Sequence, residues 1–501
     1  MKKSYAFITA FCLLSLTNEA EASVTDTAQV EHLSLWNSLR VSESLNPALR
    51  SAMFVSSLSQ LTLSMDGRKQ SEAFVEEDGT GFLHTLVGVD TYLRLSDKTA
   101  VWGKASYTAG TNHDVRWRST ADYALLRPYI LADTLGGDTK GECYRFAGGY
   151  GTRLGRFCLG GEMEFRAEQE YRERDPRMRG IVTDLTLRTG CAYTIGIYDI
   201  GLAVETNIYR QTNSVAFYNE DGVIPEYQLT GLGSDYTRFS GDKRSLYHDG
   251  GGTAIRLNLV PHACRGIYAD LMLCEHHYER KLADFNAMPL TMLTKERAEM
   301  SLGWRQKKGG ANSAVFSGVK LARHVGDENV GGEAYGGSYP TIATLSMYHY
   351  RLTDAHLGAL YGRASWNVIA VGGYRTESEE YAYPLRRMEH TDAYAEVDAQ
   401  CFLMQRRAVR LMLDAQAQHS TSLRSTVTMP YANMKPSFTD MIRHKERYLK
   451  ADFTTLAIHL RADYDMPRTT YGLYADAGMS YTACSVGSHQ TGARLAIGLC
   501  F

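Results

Sequence analysis

The chain has 501 residues, a formal net charge of −2, and 32 Tyr and 45 Gly against 11 Pro. Near-neutral charge excludes the basic footprint of a nucleic-acid binder. The length admits several soluble domains or one large barrel; abundant Tyr and scarce Pro favour the barrel.

Lys2 and Lys3 precede an apolar run from Ala6 to Leu16, followed by Ala20-Glu21-Ala22. A basic start, a short apolar core and an A-x-A site predict a secretory signal peptide over residues 1–22. The run is too short for a membrane anchor, and Cys12, mid-run after Phe11, does not fit a lipidation site. Residues 23–56 do not alternate. Leu33, Trp36, Leu39 and Val41 have loose helical spacing that Asn46-Pro47 breaks. This is expected to be a periplasmic segment that docks in the barrel mouth from about Trp36, while its first ten residues read equally as a disordered leader.

Residues 57–501 are expected to form an all-β, transmembrane antiparallel β-barrel. From Leu58 the period of two hardly stops. Val87, Val89, Thr91, Leu93 and Leu95 share one face, with Gly88, Asp90, Tyr92 and Arg94 opposite. Phe157, Leu159, Gly161, Met163 and Phe165 oppose Glu162, Glu164 and Arg166. The segments exceed ordinary globular strands, and the polar face carries charges and bulky Tyr, so the apolar face is assigned to lipid and the polar face to a lumen. Short turns are expected near Ser96–Lys98, Leu154–Arg156, Ile195–Tyr198, His262–Gly266, Gln306–Ala311, Thr353–His356, Gln405–Arg407 and Asp465–Arg468. Longer links are expected at Gly67–Thr80, Asn112–Gly141, Ser214–Gly251, Gly326–Gly336 and Ser425–Lys445. The alternation predicts about 18 strands, with 14 or 16 also compatible, and an even count puts both termini in the periplasm.

Glu162, Glu164, Arg166 and Glu168 occupy successive inward positions on one strand, Glu396 and Asp398 on another, and Arg410 and Asp414 on its hairpin partner. They are candidates to line a pore or a site for a polar or cationic solute, weighed against the plainer reading, which we favour, of an ion-pair network filling the wall. Arg172, Arg174 and Arg177, in the charged Tyr171–Arg177 turn, are candidates for binding an anion such as a lipid A headgroup, against a salt-bridged Asp-Pro turn. His276 and His277 are adjacent on a strand, so they point to opposite faces and cannot share one ion; no metal site and no cofactor is expected. Cys143, Cys158, Cys191, Cys274, Cys401 and Cys500 lack C-x-x-C spacing and read as packing residues, with a Cys143–Cys158 bond left open. Gly231–Gly233, Gly250–Gly252 and Gly331–Gly337 read as flexible loops. No nucleophile-elbow motif marks an enzyme, and nothing before Leu58 is long enough to form a globular plug.

The last strand alternates Ala493, Leu495, Ile497, Leu499 and Phe501 against Arg494, Ala496, Gly498 and Cys500. It looks like the closing strand of a bacterial outer-membrane barrel, with Phe501 resembling the signal read by the barrel-assembly machinery. Together with Trp36, Ser42-Glu43-Ser44-Leu45-Asn46-Pro47-Ala48, the Tyr-rich barrel and the Arg174-Asp175-Pro176-Arg177 turn, it resembles an uncharacterised Bacteroidota outer-membrane β-barrel family, domain of unknown function 6850. The resemblance covers nearly the whole mature chain and carries over no catalytic residues. It implies an outer-membrane location in contact with lipid and lipopolysaccharide, and a partner role beside a TonB-dependent receptor or surface lipoprotein. Asn46-Pro47-Ala48 is also similar to the N-terminal region of hydrophobic-compound channels of the fatty-acid transporter type. The function expected is a channel or an accessory of nutrient or iron uptake rather than an enzyme, with a closed scaffold or surface-binding barrel as the alternative.

Overall fold

A computed structural model describes residues 28–219, 226–239, 245–262, 265–283, 287–335, 339–363, 365–406 and 408–501. The expected signal peptide lies outside the described residues. From Leu58 the chain forms one closed antiparallel sheet of eighteen strands. They are β1 (Leu58–Gln70), β2 (Gly81–Ser96), β3 (Thr99–Val115), β4 (Gly137–Leu154), β5 (Phe157–Tyr171) and β6 (Arg177–Ile195). Next come β7 (Tyr198–Ala216), β8 (Leu246–Pro261), β9 (Gly266–Leu282), β10 (Met288–Lys308), β11 (Ala311–Gly331) and β12 (Thr341–Arg363). The set ends with β13 (Trp366–Tyr381), β14 (Arg386–Gln405), β15 (Val409–Thr428), β16 (Phe453–Asp465), β17 (Gly472–Cys484) and β18 (His489–Cys500). Each pairs with the next, and β18 returns to β1 with Cys500 opposite Gln60 and Gln490 opposite Gln70. Closure removes both sheet edges, so no ladder hydrogen bond is left to lipid.

The alternation places aliphatic side chains outside. Leu257, Ile267, Leu273, Met300, Trp304, Val315 and Leu495 are all exposed, while neighbours in sequence such as Asn258, Tyr268 and Arg305 are buried in the bore. An apolar exterior around a polar interior inverts a soluble sandwich, and the fold is a transmembrane barrel. Strands run from 12 residues in β18 to 23 in β12, beyond the ~9–11 a bilayer needs. The surplus lies at the loop end, where the outer face turns charged. There Arg210 and Lys281 pair with Asp249 at 2.9 and 3.2 Å, and Arg323 pairs with Glu296 at 3.3 Å.

Two expectations about connections are corrected. The turn placed at Thr353–His356 is mid-strand, inside β12. Asp354 made that stretch look like a turn, but it faces the bore, accepting from Tyr394 at 2.8 Å and pairing with Arg375 at 3.1 Å. Gly250–Gly252, read as loop, lies inside β8, paired to Tyr278, His277 and His276 of β9. At Gly250 a Cβ would meet the Tyr278 ring at 2.5 Å, so glycine there admits a cross-strand aromatic.

Candidate functional site

The bore is filled from both ends. At the turn end lie the short helices Ala28–Leu33, Val41–Ser44 and Pro47–Arg50 and the 3-10 helix Leu35–Arg40. Ser34 caps one of them by accepting from the Trp36 amide at 3.2 Å, and Asn46 caps another by accepting from Ala48 at 3.1 Å, with Pro47 at the first helical position. Helices this short are unstable alone, and the wall holds them. Gly151, Gly160 and Gly190 on β4, β5 and β6 form an inward row against which the Asn46–Ser51 backbone rests. A Cβ on Gly160 would sit 2.5 Å from the Pro47 carbonyl oxygen and 2.7 Å from the Ala48 nitrogen. Asn46 Nδ2 donates to Asn258 at 2.9 Å, and Asn258 donates to Asp270 at 2.7 Å. Buried Glu43 pairs with buried Arg305 at 2.5 Å and with Arg40 at 2.9 Å. Trp36, 1% exposed, packs with Leu39, Ala314, Leu360 and Ile369. Gln400 of β14 accepts from the Leu35 amide and donates to the Leu33 carbonyl, both at 2.9 Å.

In the middle of the bore, Glu162, Glu164, Arg166 and Glu168 all face inward, and they are paired. Glu162 accepts Arg50 at 2.7 Å and Arg188 at 2.6 Å. Arg188 also reaches Glu164 at 3.1 Å and Glu205 at 2.5 Å. Arg166 binds Glu168 at 3.0 Å, Asp184 at 3.1 Å and both oxygens of Asp122, at 2.8 and 2.5 Å. On the other wall Glu396 accepts from Gln416 at 2.8 Å, and Asp398 stands opposite Gln416 in the β14–β15 register. Asp414 stands opposite Gln400. Arg410 does not join them, because its guanidinium is bidentate to Asp465 at 2.6 Å near the turn end. Basic partners thus crowd the β5–β7 wall, and Glu396, Asp398 and Asp414 face the bore with no ion pair among the described residues.

At the loop end the links fold into the barrel. Residues 116–136 carry the short helix Tyr123–Leu126 and the strand Leu131–Ala132, which pairs with Tyr227–Gly231. The 14-residue helix Pro436–Leu449 crosses above them, burying Phe438 and Ile442. A core of Trp117, Leu126, Tyr129, Ile130, Leu229 and Phe438 packs onto wall residues Tyr209, Tyr278, Leu293 and Tyr348. The tip of residues 116–136 reaches Arg166 through Asp122, whose left-handed φ of 48° turns the chain there, and Tyr209 donates to the same carboxylate at 3.0 Å.

Between this packing, the link 71–80, the helix Pro436–Leu449 and strands β12 to β14 lies a cavity of about 340 Å³. Phe74, Tyr123, Tyr348, Tyr350, Tyr448 and Phe453 supply its rings. Its charged lining is Glu76, Glu77, Glu377 and Glu379 against Arg127 and Lys445, with His390 and His444. Lys445 pairs with Glu379 at 2.7 Å, and Tyr348 donates to Glu379 at 3.2 Å. Burial pushes the Glu77 carboxyl up, against the pull of Lys445 and the Tyr123 hydroxyl. Alternation could not reveal this chamber, since it is built largely from links; only the Tyr and Glu run of β13 carried a signal.

The remaining candidates separate. Arg172 was proposed for an external anion; its side chain is 1% exposed and donates to Asp133 at 2.7 Å and to the Pro176 carbonyl at 3.4 Å, so it ties the turn to the infolded link. Arg174 is exposed. Arg177 pairs with Asp175 at 2.9 Å and stacks over Tyr218 at 4.0 Å. His276 faces the bore and stacks on Tyr278, while His277 is outside, against Glu275 at 2.9 Å. Among the described residues no group of three or more His, Cys, Asp or Glu is placed to hold a metal ion. Cys143 and Cys158 are free, opposite Glu168 and Arg153, so the hairpin bond left open does not form. Phe501 is half exposed and exchanges two backbone hydrogen bonds with Ser59 at 2.9 Å.

A family model matches residues 47–501, from the proline of the seated turn to the closing strand. The chain belongs to the Family of unknown function (DUF6850). This DUF6850 member matches no curated protein. Among solved structures it is similar to BauA, the ferric preacinetobactin receptor from Acinetobacter baumannii, at 10% identity and a TM-score of 0.43, over 89% of this chain and 80% of that one. It is similar to the ferripyoverdine receptor of the outer membrane of Pseudomonas aeruginosa at 6% identity and a TM-score of 0.43, over 89% and 72%. The CymD monoaromatic hydrocarbon channel aligns at 9% identity and a TM-score of 0.32, over 95% and 92%.

Proposed function

We propose that this DUF6850 protein is an outer-membrane uptake barrel, described in its closed state, with the loop end outside and both termini in the periplasm. Residues 28–56 act as a removable inner cork, and the infolded links and the helix Pro436–Leu449 act as an outer cover. The observation that carries this reading is the seat itself. The segment rests on glycines and discrete polar contacts, Asn46 to Asn258, Glu43 to Arg305 and Arg50 to Glu162, rather than joining the sheet, so it can leave without opening the wall. A second reading, a closed scaffold that holds a TonB-dependent receptor or a surface lipoprotein, is favoured by the Arg166–Asp122 ion pair that ties wall to cover and by the Arg188 ion pairs that bind β5, β6 and β7 to one another.

Planar-bilayer conductance of the refolded protein, beside a variant that lacks residues 23–56 and has the cover links 116–136, 217–245 and 429–452 replaced by short turns, separates the two. The uptake reading expects silence from the full chain and steady, cation-preferring conductance from the shortened one, because Glu396, Asp398 and Asp414 face the bore. Silence from both, with heat-modifiable mobility showing intact barrels, overturns it in favour of the scaffold.

A further inference from the structure

The loop-end cavity has a chemistry of its own. Four carboxylates, Glu76, Glu77, Glu377 and Glu379, line it against two permanent cations, Arg127 and Lys445. Among the described residues, the Glu379–Lys445 contact is the ion pair within this set. The walls are aromatic: Tyr123, Tyr348, Tyr350, Phe74 and Tyr448. A ring face is the negative end of a quadrupole and attracts a cation set over it. A partly desolvated carboxylate beside the ring strengthens that attraction and repels anions, because the local dielectric is below that of water. At about 340 Å³ the chamber falls at the small end of ligand pockets, which span roughly 300–1,000 Å³.

We propose that this cavity binds a small organic ammonium ion with an apolar or aromatic body, its charge held by Glu77 and Glu377 and its body among Tyr348, Tyr350 and Met388. The helix Pro436–Leu449 covers the occupant and contributes Met441 and Lys445. Lys445 competes with the occupant for the carboxylates, so an arriving ammonium weakens the hold of this helix on Glu379. The inference rests on reading the loop end as the end where solute enters, but its test needs no pore.

Calorimetry on the refolded full chain in detergent would compare 2-phenylethylammonium with two probes of similar shape, neutral 2-phenylethanol and anionic 3-phenylpropionate. The expected result is saturable binding of the ammonium, at least tenfold tighter than the alcohol, with no binding of the acid. The double variant Glu77→Gln, Glu377→Gln should lose that preference while keeping a heat-modifiable barrel. Lys445→Gln, which frees Glu379, should tighten ammonium binding several-fold, an effect that misfolding cannot produce. Equal binding of all three probes, preference for the acid, or no binding of any by an intact barrel overturns the inference. Ammonium binding by a barrel that never conducts keeps this inference and overturns uptake; conductance without binding does the reverse.

Discussion

Replacing Gly160 with valine tests the seat of the inner segment directly. The new Cβ would lie 2.5 Å from the Pro47 carbonyl oxygen and 2.7 Å from the Ala48 nitrogen. Both are backbone atoms of a capped turn, so no side chain can swing away to relieve the clash. Overpacking one close site costs ~1–3 kcal/mol, a ~5–150-fold fall in the ratio of seated to released segment. Adding Gly190→Val, opposite Gly160 in the β5–β6 register, blocks the Asn46 side chain as well. The two sites are neighbours, so their costs need not add. Limited trypsin digestion reads the outcome, because Arg40 and Arg50 are held with side chains 13% and 29% exposed. The single variant should be cut faster at these residues by that factor, and the double variant faster still. Gly148→Val is the control, since a Cβ there meets nothing within 4 Å, and its cleavage should match the parent. Unchanged cleavage in the double variant, with the barrel intact, would refute the idea that the glycine row is the seat.

Breaking the buried Glu43–Arg305 pair by Arg305→Leu leaves the Glu43 carboxylate with Arg40 as its remaining cation, so the cost falls below the ~3–5 kcal/mol of a fully broken buried pair; tryptic release of the segment should rise, and rise further when Arg40→Leu is added and the cut is read at Arg50. Burial lowers the His32 pKa, despite the Ser56 carbonyl and the charges of Glu31 and Asp90 acting to raise it. Because the folded value lies below the unfolded one, the stability that neutral His32 gives the seated segment is full above about pH 6.5 and is lost as pH falls through the lowered value. Cleavage at Arg40 should therefore accelerate in acid, and His32→Phe, which keeps a ring against Phe54, should flatten that part of the profile. Leu257→Arg puts a charge on the lipid-facing band, where it costs ~2–4 kcal/mol near the midplane; urea titration of the barrel in vesicles should register the loss, and Glu279→Arg in the charged collar should leave the midpoint nearly unchanged.

The wall was legible because a strand repeats every two residues and lipid imposes a single chemistry on one face. Leu495 and Ile497 outside, with Ala496 and Cys500 inside, follow that rule to the last residue. The same rule misled at Asp354, whose polar surroundings imitate a turn although the bore receives them. Arg172 was misread for a different reason: its sequence neighbours Arg174 and Asp175 are surface residues, and its partner Asp133 comes from a distant link. The chamber at the loop end has no period at all, since Glu77, Tyr123 and Lys445 meet only after three separate links fold inward. A fainter signal was present at the other end. Gly151, Gly160 and Gly190 stand at inward positions of consecutive strands, and a run of missing side chains on a crowded inner wall marks something else occupying that space.

The inner segment touches the wall almost all the way round. Ala28 packs with Leu58, Tyr474 and Cys500, Arg50 meets Glu162 on β5, Glu43 meets Arg305 on β10, and Leu35 meets Gln400 on β14. These partners encircle one point only after β18 has met β1, so residues that precede every strand in the chain complete their contacts after the final one. The segment is a gauge of circumference. A wall one strand short, or closed in a slipped register, offers it no matching set of contacts and leaves Arg40 and Arg50 open to the first protease that passes.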